Sequence, residues 1–326
     1  MPVSAKDVAA ACSISLTTVN EILGGRGERY RATTRELVRA TAERLGYRRH
    51  GMAMAVRTGR FRAVALVNAS DETDPQLRPD LVWGIADRLA QAGHLLQFAR
   101  LPDAALAEAD APRLLDEWCS DGLLINAHHP IAERFVERIR GHRIPAIWLN
   151  SDDAQDAVRP DDAGAPEIAV AHLQARGHTR IAWLDPVRGS RGPAGHHSHE
   201  QRRAGYRQAM RQRRLTPCLI EEAGAVPEAG HPALARRLDA HPLRPTACIT
   251  PDRNLAASIL HVCHPAPEIV VLDDAPVTVL GRRLTTCLVP QRRMGTTAVE
   301  LLLARIAGAP PGPAAIIPFT LHPESA

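Results

Sequence analysis

The sequence predicts an α/β protein that carries a small all-α helix-turn-helix module at its N-terminus and two α/β lobes behind it. Three observations lead to this reading. Short, capped helical patterns fill residues 4–47. From Phe61 onward, short apolar runs alternate with helical patterns of roughly 10–15 residues, the signature of parallel strands covered by crossing helices. Charge is also unevenly placed: residues 1–60 hold 11 Lys+Arg against 5 Asp+Glu, whereas the other 266 hold 29 against 31. A positive surplus confined to one end is the footprint of a segment that meets phosphates.

In the first module, Ser4 is placed to cap a helix, with Asp7 three positions on completing a capping box and suiting the positive end of the helix dipole. Val8, Ala9 and Ala11 follow as apolar positions. A turn at residues 12–14 leads to Ser15, a second cap. The helix at 16–23 then sets Val19, Ile22 and Leu23 on one face and ends at Gly24-Gly25. This helix is expected in the major groove, with Leu16, Thr17, Asn20 and Glu21 reaching base edges and Ser4, Ser15 and Thr18 completing the contact set. Thr33 with Glu36 predicts a third capping box, and Leu37, Val38, Thr41 and Leu45 are expected to close the small core before Gly46 stops the helix.

This segment resembles the headpiece of the LacI/GalR (lac repressor) family, whose pattern runs T-x-x-D-V-A-x-x-A-G-V-S-x-x-T-V-S-R-x-L-N, then T-R-x-x-V and L-G-Y-x-P-N. Ser4, Asp7, Val8, Ala9, Ser15, Thr18, Val19, Leu23, Thr34, Arg35, Val38, Ala42, Leu45, Gly46 and Tyr47 carry the resemblance. Ser13 stands where the family has its turn glycine, Asn20-Glu21 where it has Ser-Arg, and Gly24 where it has Asn. A Glu at position 21 would repel phosphates and accept from a cytosine amino group; the competing reading is a solvated or Arg-paired carboxylate. After Tyr47 the family has a hinge helix that wedges a Leu into the minor groove. Val56 aligns with that Leu, and Arg48, Arg49 and Arg57 are expected to touch phosphates. The resemblance implies a headpiece at 1–48, a hinge at 49–60 and, over 61–326, a two-lobed periplasmic-binding-protein-like α/β domain that binds an effector and dimerises.

Candidate strands in the larger part lie at 63–67, 95–99, 122–125 and 146–149, then at 181–184, 247–249, 269–272 and 285–288. Helices are expected at 81–92, 131–140, 167–176, 200–213 and 294–306, and residues 152–164 read as a crossover between lobes. The resemblance continues through A-H-L-x-x-R-G-H-T-R-I-A (171–182), R-x-A-G-Y (202–206), V-L-D-D (271–274), L-T-T (284–286) and M-G-x-x-A-V-x-L-L-L (294–303).

Mapped by motif, Arg202 falls where the family's Arg grips effector hydroxyls and Asp273 where it has a cleft Asp. Asn150 replaces an Asp, and Asp252 follows Pro251 where Asn is common. A surface ion pair for Arg202 and a turn cap for Asp273 compete with these roles, and Asn126 reads as a turn former. Aromatics make up 3% of the chain, and residues 68–80 lack the Phe pair that often lines this pocket, so a sugar pocket here would have few stacking faces. Trp83, Trp148 and Trp183 read as core.

The chain's 326 residues and 45% hydrophobic content support a sizeable core. Six scattered cysteines without a C-x-x-C pair read as packing thiols. Without a signal-like segment or an apolar run of membrane-spanning length, the expected place is the cytoplasm. The histidines at 196, 197 and 199, with His261, Cys263 and His264, have no zinc-finger spacing and read as exposed loop residues, so no metal and no cofactor is expected. No P-loop, G-x-G-x-x-G, G-x-S-x-G or H-E-x-x-H motif supports an enzyme. The expected partners are double-stranded DNA with a pseudo-palindromic operator, a small effector such as a sugar, and a second copy of the chain, with no membrane. A plain small-molecule binding protein of the same fold is the alternative.

Overall fold

The computed structural model of the chain describes residues 3–48, 55, 59–69, 77–101, 120–127, 133–152, 155–186, 196–221 and 228–324. The hinge candidates Arg49, Val56 and Arg57 lie outside the described residues. The chain divides into two compact units, Met1–Phe61 and Arg62–Ala326.

Among its described residues the first unit holds the helices α1 (Ala5–Cys12), α2 (Leu16–Leu23) and α3 (Ala32–Arg44). Ser4 Oγ accepts from the Asp7 N–H at 3.4 Å while the Ser4 N–H donates to Asp7 Oδ2 at 2.8 Å, a reciprocal capping box. Ser15 Oγ accepts from the Thr18 N–H at 3.1 Å and starts α2. Val8, Val19 and Val38 are wholly buried and, with Ile22, Ala42 and Cys12, form the core.

Two expectations fail in α3. It begins at Ala32 with Arg31 at the cap and no side-chain cap bond. Thr33 is therefore already inside the first turn, and the Thr33–Glu36 box does not form. Leu37 is 49% exposed because the inward stripe runs Val38, Thr41, Ala42, Leu45, one position further round the helix.

The second unit holds two six-stranded sheets. In the first lobe β1 (Ala63–Ala69), β2 (Leu95–Leu101), β3 (Gly122–Ala127), β4 (Ala146–Leu149), β5 (Ala157–Pro160) and β13 (Ala315–Ile317) lie in the order β13-β5-β4-β3-β1-β2, all parallel. Its helices are α4 (Pro79–Gln91), α5 (Glu133–Gly141) and α10 (Gln291–Ile306). In the second lobe the order is β14-β12-β9-β8-β6-β7, built from β6 (Ile181–Asp185), β7 (Cys218–Glu221), β8 (Ala247–Thr250), β9 (Glu268–Asp273), β12 (Thr285–Leu288) and β14 (Thr320–His322). Only β14 runs antiparallel. Its helices are α6 (Ala165–Ala175), α7 (His197–Gln212), α8 (His231–Asp239) and α9 (Arg253–Val262), and a small hairpin joins β10 (Thr278–Val279) to β11 (Arg282–Arg283).

The central strands of each sheet are buried on both faces, with alternate residues entering opposite cores. Val64 and Leu66 pack against α4 and α10, whereas Ala65 and Val67 pack against α5. The α4–α10 crossing is so close that a Cβ on Gly84 would lie 2.2 Å from the Arg292 carbonyl oxygen, and one on Gly295 2.4 Å from that of Leu81. The chain passes between lobes at 161–164, 289–290 and 318–319. The expected crossover at 152–164 therefore shrinks, because Ala157 and Val158 are buried and pair as β5 with β4. Trp148 and Trp183 are core, but Trp83 is 58% exposed on α4. Five cysteines, Cys12, Cys218, Cys248, Cys263 and Cys287, are free and buried.

Ser13 shows why a glycine suits the turn after α1: its φ is +52°, in the left-handed region. Ser13→Gly is expected to raise the stability of the helical unit by about 1 kcal/mol, read as a shift in its denaturant midpoint. An unchanged or lower midpoint would contradict the strain.

Candidate functional site

On α2, Val19 and Ile22 face the core while Leu16 and Thr17 are exposed and Asn20 and Glu21 half-buried, so the outward stripe begins at the Ser15-capped end. Ser4, Ser15 and Arg48 are exposed as well. Glu21 is engaged within the protein: the Arg29 guanidinium and the Tyr30 hydroxyl both donate to its Oε2. The Tyr30 hydrogen bond, reinforced by Arg29, holds the Glu21 carboxyl below the usual carboxylate range, so it is ionised. Of the two readings open in the sequence, the Arg-paired carboxylate is the one this geometry shows.

Both α/β lobes have the strand order that places a topological switch at the carboxyl ends of their first and third strands. In the first lobe that point carries Asn68 and Asn126, which face each other in register on β1 and β3. Asn126 Nδ2 donates to Asn68 Oδ1 at 2.8 Å, and Asn150 Nδ2 donates to Asn126 Oδ1 at 2.8 Å. Asn126 is thus no turn former: it is wholly buried in the middle of an amide ladder. Asn150 sits just past β4 with φ +58°, a left-handed conformation that Asn tolerates better than most residues.

From the second lobe, His196 reaches that ladder. Its Nδ1 accepts from the Ser198 N–H at 3.3 Å at the start of α7, which leaves Nε2 to donate to the Asn150 carbonyl oxygen at 3.1 Å. His199 Nδ1 lies 3.1 Å from Asp185 Oδ2, at the end of β6. These histidines are therefore helix-start and inter-lobe groups rather than exposed loop filler. Among the described residues no group of three or more His, Cys, Asp or Glu is arranged to hold a metal.

Arg202, one turn into α7, donates from Nε to Asp162 Oδ1 at 2.7 Å, with the Asp162 side chain wholly out of water. The guanidinium carbon lies 5.7 Å from the Phe319 ring centre, within cation–π range. This is a buried pair and not the surface bridge that competed in the sequence reading. The second oxygen of Asp162 and Nε2 of His197 are buried without a hydrogen bond among the described residues.

Asp252 and Asp273 form a separate group at the ends of β8 and β9. Asp252 Oδ1 caps α9 by accepting the Leu255 N–H at 2.7 Å. Asp273 accepts a two-pronged Arg253 contact at 2.9 and 2.5 Å, and its neighbour Asp274 is held across the lobes by Arg78 at 2.8 Å and Gln291 at 2.6 Å. Asn150, Arg202, Asp252 and Asp273 are legible as candidates in the sequence and His196 only as a loop residue, whereas Asn68, Asp162 and Phe319 are not singled out by it. An Asn closing an apolar strand was the available signal for Asn68; for the others there was none short of the fold.

A helix-turn-helix unit joined to two parallel-sheet lobes, with polar groups gathered at their carboxyl edges, defines the class of ligand-responsive transcriptional regulators. Residues 170–324 match the family described as periplasmic binding protein-like domain. The ribose operon repressor of Escherichia coli is 26% identical over 320 residues, covering 92% of both chains. The maltose regulon regulatory protein MalI of the same organism is 30% identical over 181 residues, about half of each chain at 55% and 52%. The lac repressor dimer bound to operator and the anti-inducer ONPF superposes with a TM-score of 0.75 at 21% identity, over 98% of both chains. The chain is thus similar to helix-turn-helix repressors over nearly its whole length, and shares the fold of the lac repressor.

Two outcomes test the buried groups. Arg202→Ala strands the Asp162 carboxylate, and a denaturant titration is expected to show a loss of about 3–5 kcal/mol; a loss under 1 kcal/mol would mean water reaches Asp162. Burial lowers the pKa of His172 and of His197, the latter against the opposing pull of Asp162. Because both imidazoles are harder to protonate folded than unfolded, stability is full above about pH 6.5, the ordinary imidazole value, and declines as pH falls below it. His197→Gln should flatten that decline between pH 7 and 5.5; an identical profile would show that His197 does not contribute.

Proposed function

We propose that the protein is a dimeric repressor that reads a pseudo-palindromic operator through α2 and releases or tightens its grip when a sugar or related small metabolite binds between the two α/β lobes. The observation that carries the reading is the Ser15-capped α2 with its exposed stripe, in a unit that also holds the chain's surplus positive charge. In this reading Leu16, Thr17 and Asn20 meet base edges. Ser4, Ser15, Thr18, Arg48, Arg49 and Arg57 meet the backbone, and Val56 enters the minor groove.

Effector recognition falls to Asn150, Arg202, Asp252 and Asp273 together with Asn68, Asn126 and Asp162. The unpartnered oxygen of Asp162 and the amide ladder suit a ligand rich in hydroxyl donors. Sugar-linked relatives, the ribose repressor and the maltose regulon protein, support this class. A second copy is supported by large apolar side chains left exposed on α4 and the edge strand β2: Trp83 at 58%, Leu95 at 72% and Phe98 at 58%. The protein acts in the cytoplasm and catalyses no reaction; no helix among the described residues is long and apolar enough to cross a membrane. A plain sugar-binding protein would not need α2.

Selection of genomic fragments by the purified protein, repeated with a panel of sugars, tests the proposal. The expected result is a palindromic consensus with half-sites about one helical turn apart, and one sugar that changes affinity by about 5–150-fold. No enrichment under any of these conditions would overturn it.

A further inference from the structure

The Arg of the resembled family's pattern is replaced here by Glu21, in the second turn of the reading helix, an anion on the stripe that faces DNA. Left bare it would oppose phosphates within a Debye length of about 8 Å. It is not bare, and what neutralises it is built into the loop after α2. That loop, residues 24–31, folds back on the helix end: the Arg26 N–H donates to the Glu21 carbonyl at 2.9 Å, and the Tyr30 N–H donates to the Gly27 carbonyl at 2.9 Å. At Gly27 the approach is so close that a Cβ would lie 2.9 Å from Ile22 Cα. Tyr30 packs partly buried on the helical core and offers its hydroxyl to Glu21. Arg29 lies across the Tyr30 ring, 5.1 Å from its centre, with Nη2 serving both Glu21 and the Tyr30 hydroxyl, the latter at 3.0 Å.

We infer that Glu21 does not read a base but acts as a positioning residue, fastening Arg29 beside the reading stripe so that Arg29 is the group that contacts DNA. Thr17 and Glu21 are one helical turn apart on the same stripe, so a guanidinium bound to Glu21 lies at the stripe's C-terminal end. The Arg29 side chain is 65% exposed against 24% for Glu21. Its Nε and Nη1 make no hydrogen bond among the described residues, and a guanidinium with two free donor groups suits either a phosphate or the O6/N7 edge of guanine. A charge that the sequence places at position 21 in the family is thereby supplied from position 29. The inference rests on α2 being the DNA-reading helix.

The test uses the full chain and its selected operator, measuring affinity against salt and repeating the site selection for each variant. Arg29→Ala is expected to weaken binding. If it lowers the slope of log K against log salt by about 0.9 and leaves the consensus unchanged, the contact is a phosphate; if it relaxes one consensus position, the contact is a guanine edge. Arg29→Lys should keep the slope, which separates lost contact from lost folding. Glu21→Gln should reproduce the Arg29→Ala defect, and the double variant should be no worse than either single one. Arg29→Ala binding like the parent in both slope and consensus would overturn the inference, as would additive losses with Glu21→Gln shifting a base position of its own. A parent protein that selects no DNA would overturn the underlying reading of α2, and this inference with it.

Discussion

A carboxylate taken wholly out of water must meet a counter-charge, and the placing of Asp162 makes this requirement organise the α/β unit. Asp162 lies in the first passage between the lobes, its partner Arg202 on α7, and Phe319, beneath the guanidinium, in the third passage. One side-chain cluster therefore ties two chain crossings to one helix. The helix can come that near only because Gly205 has no side chain: a Cβ there would lie 2.1 Å from the Ala163 carbonyl oxygen. The next residue, Tyr206, turns inward, donating its hydroxyl to the Ile181 carbonyl at 2.8 Å and accepting from the Cys218 N–H at 2.9 Å, which fixes α7 to β6 and β7. The R-x-A-G-Y motif is thus a set of three successive physical demands: neutralise, approach, anchor.

What the sequence disclosed and what it hid follow from the range of the signal. The headpiece was legible almost residue by residue because caps and helical stripes are local: Ser4, Ser15 and the bounds of α2 are where the pattern puts them. The Thr33–Glu36 pair had the same local signature, yet the chain entered α3 two residues earlier, where loop 24–31 delivers it against the end of α2. The long apolar runs of both sheets were equally readable. Missing were β5, β7, β13 and β14 together with α8 and α9; β7, β13 and β14 are edge strands, and Arg159 breaks the apolar run of β5.

The candidate site residues divide along the same line. Glu21 announced itself by departing from a pattern, but its partners Arg29 and Tyr30 lie across a turn whose shape no propensity encodes. Asn126 was read as a turn former because Asn after a strand usually is one. It is instead satisfied on both sides by amides from neighbouring strands, and the register that aligns Asn68 with Asn126 is a property of the sheet, not of either segment. Asp162 and Phe319 are 157 positions apart and both reach Arg202 only because the chain crosses between lobes three times.

A ligand alters a second equilibrium only to the extent that it binds two arrangements of the protein unequally. Among the described residues, bonds that span the lobes include His196 to the Asn150 carbonyl, and Asp274 to Arg78 and Gln291. None of them is a large hydrophobic contact, and the Arg78 side chain is half exposed, so its pair with Asp274 is weakly held in water. Asn150 carries one of these bonds on its backbone and lends its side chain to the amide ladder, so a ligand that engages the ladder acts on a residue that also bridges the lobes. Similarly, Asp274 takes its own N–H bond to Asp273, the carboxylate that Arg253 grips. Both polar groups at the sheet edges are therefore one covalent or hydrogen-bonded step from a bond between lobes. That is the physical condition for binding at those edges to bias how the lobes meet.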